Sequence, residues 1–550
     1  QETRSTWYLF LLTLAIGGLQ IAWSVELSNG SPYLLGLGVS KSVLAFVWIA
    51  GPLSGTLVQP YVGIQSDRCR SRFGRRRPFM VGGAVATILS LMALAWTREL
   101  IGGILRACGV PEDSQAMFTG PIVFAVLMIY ILDFSINVIQ AAIRAYIVDN
   151  APAHQQDSAN AWASRMSGGG NIIGYLFGYL NLPKYFWFFG DTQFKVLCVV
   201  ASIAMIITLA ISCISIGERD PNLDGEPEKQ EGGVLTFFSD LGRSMRKLPT
   251  QISRVCQVQF FAWIGWFPFL FYITTYIGEM YTQPIYERNP HMSDEEAERV
   301  WELGTRMGTR ALLIFALTTF AASVVLPFMI TSTYRIPDKT PGGGRTPLTP
   351  GPKTPGTPGF RHPDDYFGAS APPRNPVVRF FRKFASIGVP GLTLRRAWLL
   401  SHILFTLFTW LTFVVRDVTG ATVLTALIGI PWAMTNWAPF ALIAAEIAKR
   451  DSIRRGLIPP PPTEEGEMLA SGEDDSEGAD QAGVVLGIHN VAIAAPQVIA
   501  TLVSSVIFKA LQRGRDQGGD NSTAWVLRFG GLAALVAAWL TTRVGEENGE

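Results

Sequence analysis

Apolar residues in this chain come in long runs separated by short polar stretches. Each run is about 20 residues, enough for a helix to cross the hydrocarbon core of a bilayer. Twelve runs are counted, near residues 7–27, 40–63, 78–97, 120–147, 167–190, 194–216, 254–278, 306–332, 395–415, 420–447, 482–510 and 523–543. The pattern predicts an all-α membrane protein with twelve transmembrane helices. The first run is long enough to span, which separates it from a cleavable signal peptide. The chain starts at Gln1 without a methionine, so a native N-terminal extension is expected before it.

Composition agrees with the pattern. Of 550 residues, 49% are hydrophobic and 16% charged, where a soluble domain carries about 25% charge. The net charge of +2 gives no electrostatic case for nucleic acid. The five cysteines form no C-x-x-C pair, so neither a disulfide framework nor a zinc site is indicated.

The charges are segregated by loop. Residues 63–79 carry six arginines and a single acid, Asp67, between two apolar runs. Clustered arginine between spans marks a cytoplasmic loop, which puts both termini in the cytosol. The sequons at Asn29 and Asn521 then fall outside, as does the acidic stretch 279–305, while 333–396 is basic and inside. Runs 1–6 and 7–12 read as repeats: residues 1–216 form one half, 217–250 a polar linker and 251–550 the other half. A midplane site between two six-helix halves is the architecture this implies. Inserts near 333–394 and 449–481 are Pro-rich or acidic and are expected to be disordered. The first holds Thr-Pro steps at Thr340, Thr346, Thr349, Thr354 and Thr357, readable as a passive linker or as proline-directed phosphorylation sites.

The fourth run carries Asp133, Asn137, Gln140 and Arg144. At about 100° per residue these fall within a roughly 60° arc, one polar stripe on an apolar helix. An ionisable side chain at the bilayer centre costs about 2.5–3.5 kcal/mol on insertion scales, so two on one face imply a water- or substrate-filled cavity. A buried ion pair is the other reading, weakened because eleven residues separate the two by about 16 Å along the helix.

Residues 63–79 read GIQSDRCRSRFGRRRPF. G-x-x-x-D-R…F-G-R-R-R resembles the loop between helices two and three of major facilitator superfamily transporters. The longer S-D-R-C-x-S-R-F-G-R-R-R-P-F resembles the sucrose–proton symporters of plants and their fungal and animal relatives, close to the glycoside–pentoside–hexuronide:cation symporters. The resemblance covers essentially the whole chain, and the Pro-rich inserts fit a fungal-type member. It implies proton-coupled symport of sucrose or a related α-glucoside such as maltose by alternating access. It also implies a proton carried by Asp133 and release or substrate engagement governed by Arg144. Burial disfavours the charged carboxylate and an approaching cation favours it.

The plant pattern G-x-Q-x-x-W-x-x-Q-L-S is matched by Gly18, Gln20, Trp23, Leu27 and Ser28, with Glu26 in place of the second Gln. Glu26 is either a second coupling acid or an interfacial acid facing outside water. The histidine that plant members carry before span 2 is absent; this chain reads Gly38-Val-Ser-Lys41-Ser. The resemblance further gives Asp67, Arg68, Arg75, Arg76 and Arg306 gating roles, with Asp67 meeting span 11.

Sugars need amide or carboxylate hydrogen-bonders and aromatic platforms. The candidates are Gln20, Trp23, Gln59, Asn137, Gln140, Trp263, Trp266, Asn436, Asn490 and Gln497, with Trp432 beside them. The amides serve equally as interhelical glue and the tryptophans as lipid-interface anchors. No metal ligand set and no cofactor is expected, only H+ as coupling ion. A lipid-embedded monomer is expected, most simply in the plasma membrane. It is not expected to be an enzyme, and no G-x-x-x-x-G-K-[ST] motif is present. The rival readings are an organellar transporter of a monosaccharide or other solute and a non-transporting sugar sensor.

Overall fold

A computed structural model describes residues 3–152, 155–218, 245–330, 389–454, 459–471, 482–513 and 519–545, with 239, 242 and 243 besides. Among them are twelve long helices. The first six are α1 (Thr6–Val25), α2 (Ala50–Arg68), α3 (Arg77–Ala95), α4 (Gln115–Asn150), α5 (Gln156–Tyr179) and α6 (Gln193–Ser215). The second six are α7 (Thr250–Arg288), α8 (Asp294–Met329), α9 (Leu394–Trp410), α10 (Val418–Arg454), α11 (Ala482–Leu511) and α12 (Ser522–Thr541). Among the described residues, ten helical segments are long and apolar enough to cross a membrane. The exceptions correspond to α9, with only 17 residues, and α5, whose first turns are polar. Both pack within the bundle.

Helices alternate in direction, so α2 ends and α3 begins at the arginine-rich loop, here called the basic end. In the first half α1 packs on α5 and α6, and α4 on α2 and α3; in the second, α7 packs on α8, α11 and α12. The halves meet where α5 lies against α8 and α2 against α11. Close approach relies on glycine: a Cβ at Gly170 would lie 2.6 Å from the Gly17 carbonyl oxygen, and one at Gly174 would lie 2.5 Å from Ser24 Cβ. Small residues let α1 and α5 backbones touch, as membrane helices without a hydrophobic drive between them must. Large apolar side chains such as Leu89, Val123, Ile214 and Val506 stand exposed on the outer surface. Such a belt would be an aggregation liability in water and is the natural surface against lipid.

Three sequence expectations are corrected. The stretch 279–305 is not a loop, because α7 runs to Arg288 and α8 starts at Asp294. There Ser293 and Glu296 form a reciprocal capping box that satisfies free N–H groups. The first span does not stop near residue 27; a π-helical turn, Glu26–Gly30, joins α1 to a further turn, Ser31–Gly36. Part of the acidic insert is ordered: Glu464–Ser471 is a helix held by Arg450 to Glu465 at 2.6 Å, with Leu469 buried. The Thr-Pro steps and the acids of 473–477 lie outside the described residues.

Candidate functional site

The π turn decides the fate of Glu26. An extra residue in the helical ladder rotates its side chain inward, and π-bulges recur at functional sites. Glu26 is 3% exposed, so it is not an interfacial acid in this state. Its carboxyl faces that of Asp133, 1% exposed on α4, within hydrogen-bonding reach. Among the described residues no other group hydrogen-bonds any of the four oxygens. Two buried carboxylates cannot both ionise at contact distance, and the donor this geometry requires is a proton on one of them.

The α4 stripe continues from there. Asn137 Nδ2 donates to Ser54 Oγ at 2.8 Å and to the Asp133 carbonyl at 2.9 Å, and its Oδ1 accepts from Gln59 Nε2 at 2.8 Å. One turn on, Gln140 Oε1 accepts from the Trp23 indole at 3.1 Å. The Arg144 side chain is exposed. It has no hydrogen-bond or ion-pair partner among the described residues.

Gln20 joins the network through a residue sequence reasoning missed. Asn171 Oδ1, on α5, accepts from Gln20 Nε2 at 3.0 Å and Ser24 Oγ at 2.9 Å. The adjacent glycines were the signal: they mark where α5 comes close enough for its amide to reach α1. Arg310 was also missed; its Nε is buried without a partner, one turn along α8 from Arg306.

The second half contributes less. Trp263 is half-buried and its indole N–H has no acceptor. Asn436 is exposed, Asn490 is half-buried, and Gln497 donates to its own helix at the Ile493 carbonyl. Trp266 is corrected: it is 1% exposed, enclosed by Trp432 at 4.8 Å and Phe405 at 4.3 Å, so no ring face is left for a sugar. His489 meets Gln259 at 3.3 Å and His402 packs on Trp398.

At the basic end, Arg76 donates to Asp149 Oδ2 at 2.7 Å and Arg75 lies 3.3 Å from the same oxygen, tying the loop to the end of α4. Arg68 is exposed, and the side chain of Asp67 lies outside the described residues. At the opposite end, Arg306 Nε donates across the halves to the Tyr179 carbonyl at 3.0 Å, and Arg98 pairs with Glu298 at 2.8 Å. Trp301 donates to the Pro32 carbonyl at 2.9 Å. That end is therefore shut. Asn29 is 4% exposed beneath it and is no accessible sequon in this state; Asn521 is exposed.

The geometry is that of a two-half membrane bundle with a buried acid pair and amide network on its inner faces. The Major Facilitator Superfamily model matches residues 4–297. The general alpha-glucoside permease of Schizosaccharomyces pombe is 36% identical over 98% of this chain and 93% of its own length. The sucrose transport protein SUT1 of Oryza sativa subsp. japonica is 32% identical over 56% of this chain and 58% of its own. Among solved structures, a partially occluded inward-open form of the xylose transporter XylE from E. coli aligns over 99% of this chain and all of that one. Its TM-score is 0.54 at 14% identity, a likeness of fold. The chain belongs to the Major Facilitator Superfamily, in the family of the sucrose–proton symporters and their fungal relatives.

Proposed function

We propose that this protein is a proton-coupled symporter of sucrose or a related α-glucoside such as maltose, working by alternating access. The observation that carries the reading is the Glu26–Asp133 carboxyl pair, set one helical turn from the amides of Asn137 and Gln59. The similarity to an alpha-glucoside permease over nearly the whole chain supports the substrate class.

In this reading the shared proton is the coupling ion. Neutralised, the pair lets the halves rock around it; deprotonated, two adjacent anions hold the site in search of a cation. Arg144, exposed and without a partner among the described residues, supplies charge-assisted donors to sugar hydroxyls and draws the proton off the pair as it approaches. In this reading Gln20, Trp23, Gln140 and Asn171 form the hydrogen-bonding wall on the first half, and Trp263, Asn436, Asn490 and Gln497 are the sugar-binding candidates of the second. Sugar that protects the pair from water links occupancy to protonation, and the linkage is reciprocal.

The division into residues 1–216, 217–250 and 251–550 belongs to the same reading. So do a basic end in the cytosol, both termini inside, the plasma membrane as site and the single chain as the working unit. The test is uptake of labelled sucrose and maltose by transport-deficient cells at about pH 5 and about pH 7.5, for wild type and Asp133→Asn. Uptake stronger in acid and lost in the variant supports the reading. Absence of uptake of either sugar, with the protein at the cell surface, overturns it.

A further inference from the structure

The seven-residue helix Lys41–Val47 stands apart from α2. Trp48 and Ile49 separate it from Ala50, with Trp48 at φ −73°, ψ 1°. The Trp48 N–H reaches the Leu44 carbonyl only at 3.4 Å. The helical ladder is therefore weakest at that joint, where a hinge would sit.

Both ends of this short helix are held by the other half. Lys41 is 4% exposed, and its Nζ lies 2.5 Å from Glu279 on α7 and 2.8 Å from Asp520, just before α12. It also donates to Ser522 Oγ and Thr523 Oγ1, each at 3.1 Å, while Thr523 donates to Glu279 at 2.9 Å. The Phe508 ring of α11 lies 5.9 Å away. An ammonium has three protons, and here more acceptors than that converge on it. Also at this end, Arg98 pairs with Glu298, and Lys195 with Glu99 and Asp191.

At the far end of the helix, Trp48 is fully buried and its indole donates to Ser31 Oγ at 3.0 Å. Ser31 in turn donates to the Phe271 carbonyl of α7 at 2.7 Å, and the Trp48 and Phe271 rings are 4.7 Å apart. A Cβ at Gly30 would lie 2.7 Å from Trp48 Cη2 and 3.8 Å from Glu26 Cγ. The indole thus covers the π turn that carries Glu26.

We propose that the helix Lys41–Val47 is the gate at this end of the transporter, latched by Lys41 to Glu279 and Asp520 and closed over Glu26 by Trp48. Lys41 and Trp48 are positioning residues: they decide when the acid pair meets water from this side. Release of one latch frees a rigid helix about the Trp48–Ile49 joint and lifts its lid together. The proposal rests on the reading that this end faces outward.

The test is thiol labelling of intact cells, which needs no sugar. Ser28, fully buried beneath the lid, is replaced by cysteine in a Cys108→Ser background, because Cys108 is exposed at the same end. The probe is a membrane-impermeant maleimide. Lys41→Met is expected to raise the labelling rate of Ser28→Cys by about tenfold or more, and Lys41→Arg to leave it within about twofold. Glu279→Gln with Asp520→Asn keeps the cation, removes its partners and is expected to match Lys41→Met. It decides the matter where Lys41→Met does not reach the surface. Equal labelling of the latch variants and the parent overturns the proposal. Labelling confined to permeabilised cells overturns the orientation, and a failed substrate reading leaves the labelling result intact.

Discussion

Glu26 and Asp133 face each other across the gap between α1 and α4, with no other hydrogen-bond donor to either carboxyl among the described residues. Asp133→Asn supplies a permanent donor to Glu26 and removes the exchangeable proton. Uptake driven by an inward proton gradient is expected to fall by about 10²-fold or more, the scale on which loss of a proton-transfer group acts. Exchange of sugar across membranes without a gradient is expected to persist.

Glu26→Gln separates the partners' roles. Asp133 then lies beside a neutral amide in place of a carboxyl. The pH dependence of uptake is expected to change, with proton-coupled transport retained. A pH profile of initial rates checks this; an unchanged profile would show that the two acids do not share a proton.

Asn171→Ala removes the acceptor of Gln20 Nε2 and one of the two acceptors of Ser24 Oγ, which keeps the Gln20 carbonyl at 2.8 Å. Leaving a donor unpaired costs about 1–3 kcal/mol where it is buried. The expected result is a lower melting temperature in detergent and a higher KM for sugar, with the pH profile unmoved because the acid pair is untouched.

The two tryptophans on α7 are expected to split. Trp266→Ala empties a packed aromatic cluster and costs about 3–5 kcal/mol of stability. Trp263→Phe keeps an aromatic ring at a half-buried position and loses the indole N–H with its second ring, so stability largely holds while sugar affinity falls. Thermal melting with and without sugar separates them.

Asp520 is not a pH-sensitive part of the latch. Burial pushes the Asp520 carboxyl up, but the charge of Lys41 and hydrogen bonds from Lys41 and Ser522 outweigh it and hold it below the usual range. A depressed carboxyl stabilises the closed end at pH above its ordinary value of about 3.9 and loses that contribution only as pH falls further, through the shifted value. Asp520→Asn is therefore expected to change the rate of uptake but not its ratio between about pH 5 and about pH 7.5.

The sequence by itself determined the membrane class, the helix order and the α4 stripe, because bilayer thickness sets run length and helical periodicity sets faces. Its basic-loop motif and the span 1 pattern led to the family. It also marked Asp133 and Arg144, since charge inside an apolar run is costly enough to stand out. Tertiary structure alone decided what each polar residue meets. Glu26 was legible as an acid, but only a π turn, set by packing, aims it at Asp133. Trp266 and Trp263 are three residues apart in similar surroundings, and contacts from Trp432 and Phe405 close one and leave the other open. Lys41, Glu279 and Asp520 are ordinary loop-edge charges until folding brings positions hundreds of residues apart together, a relation that no local pattern carries.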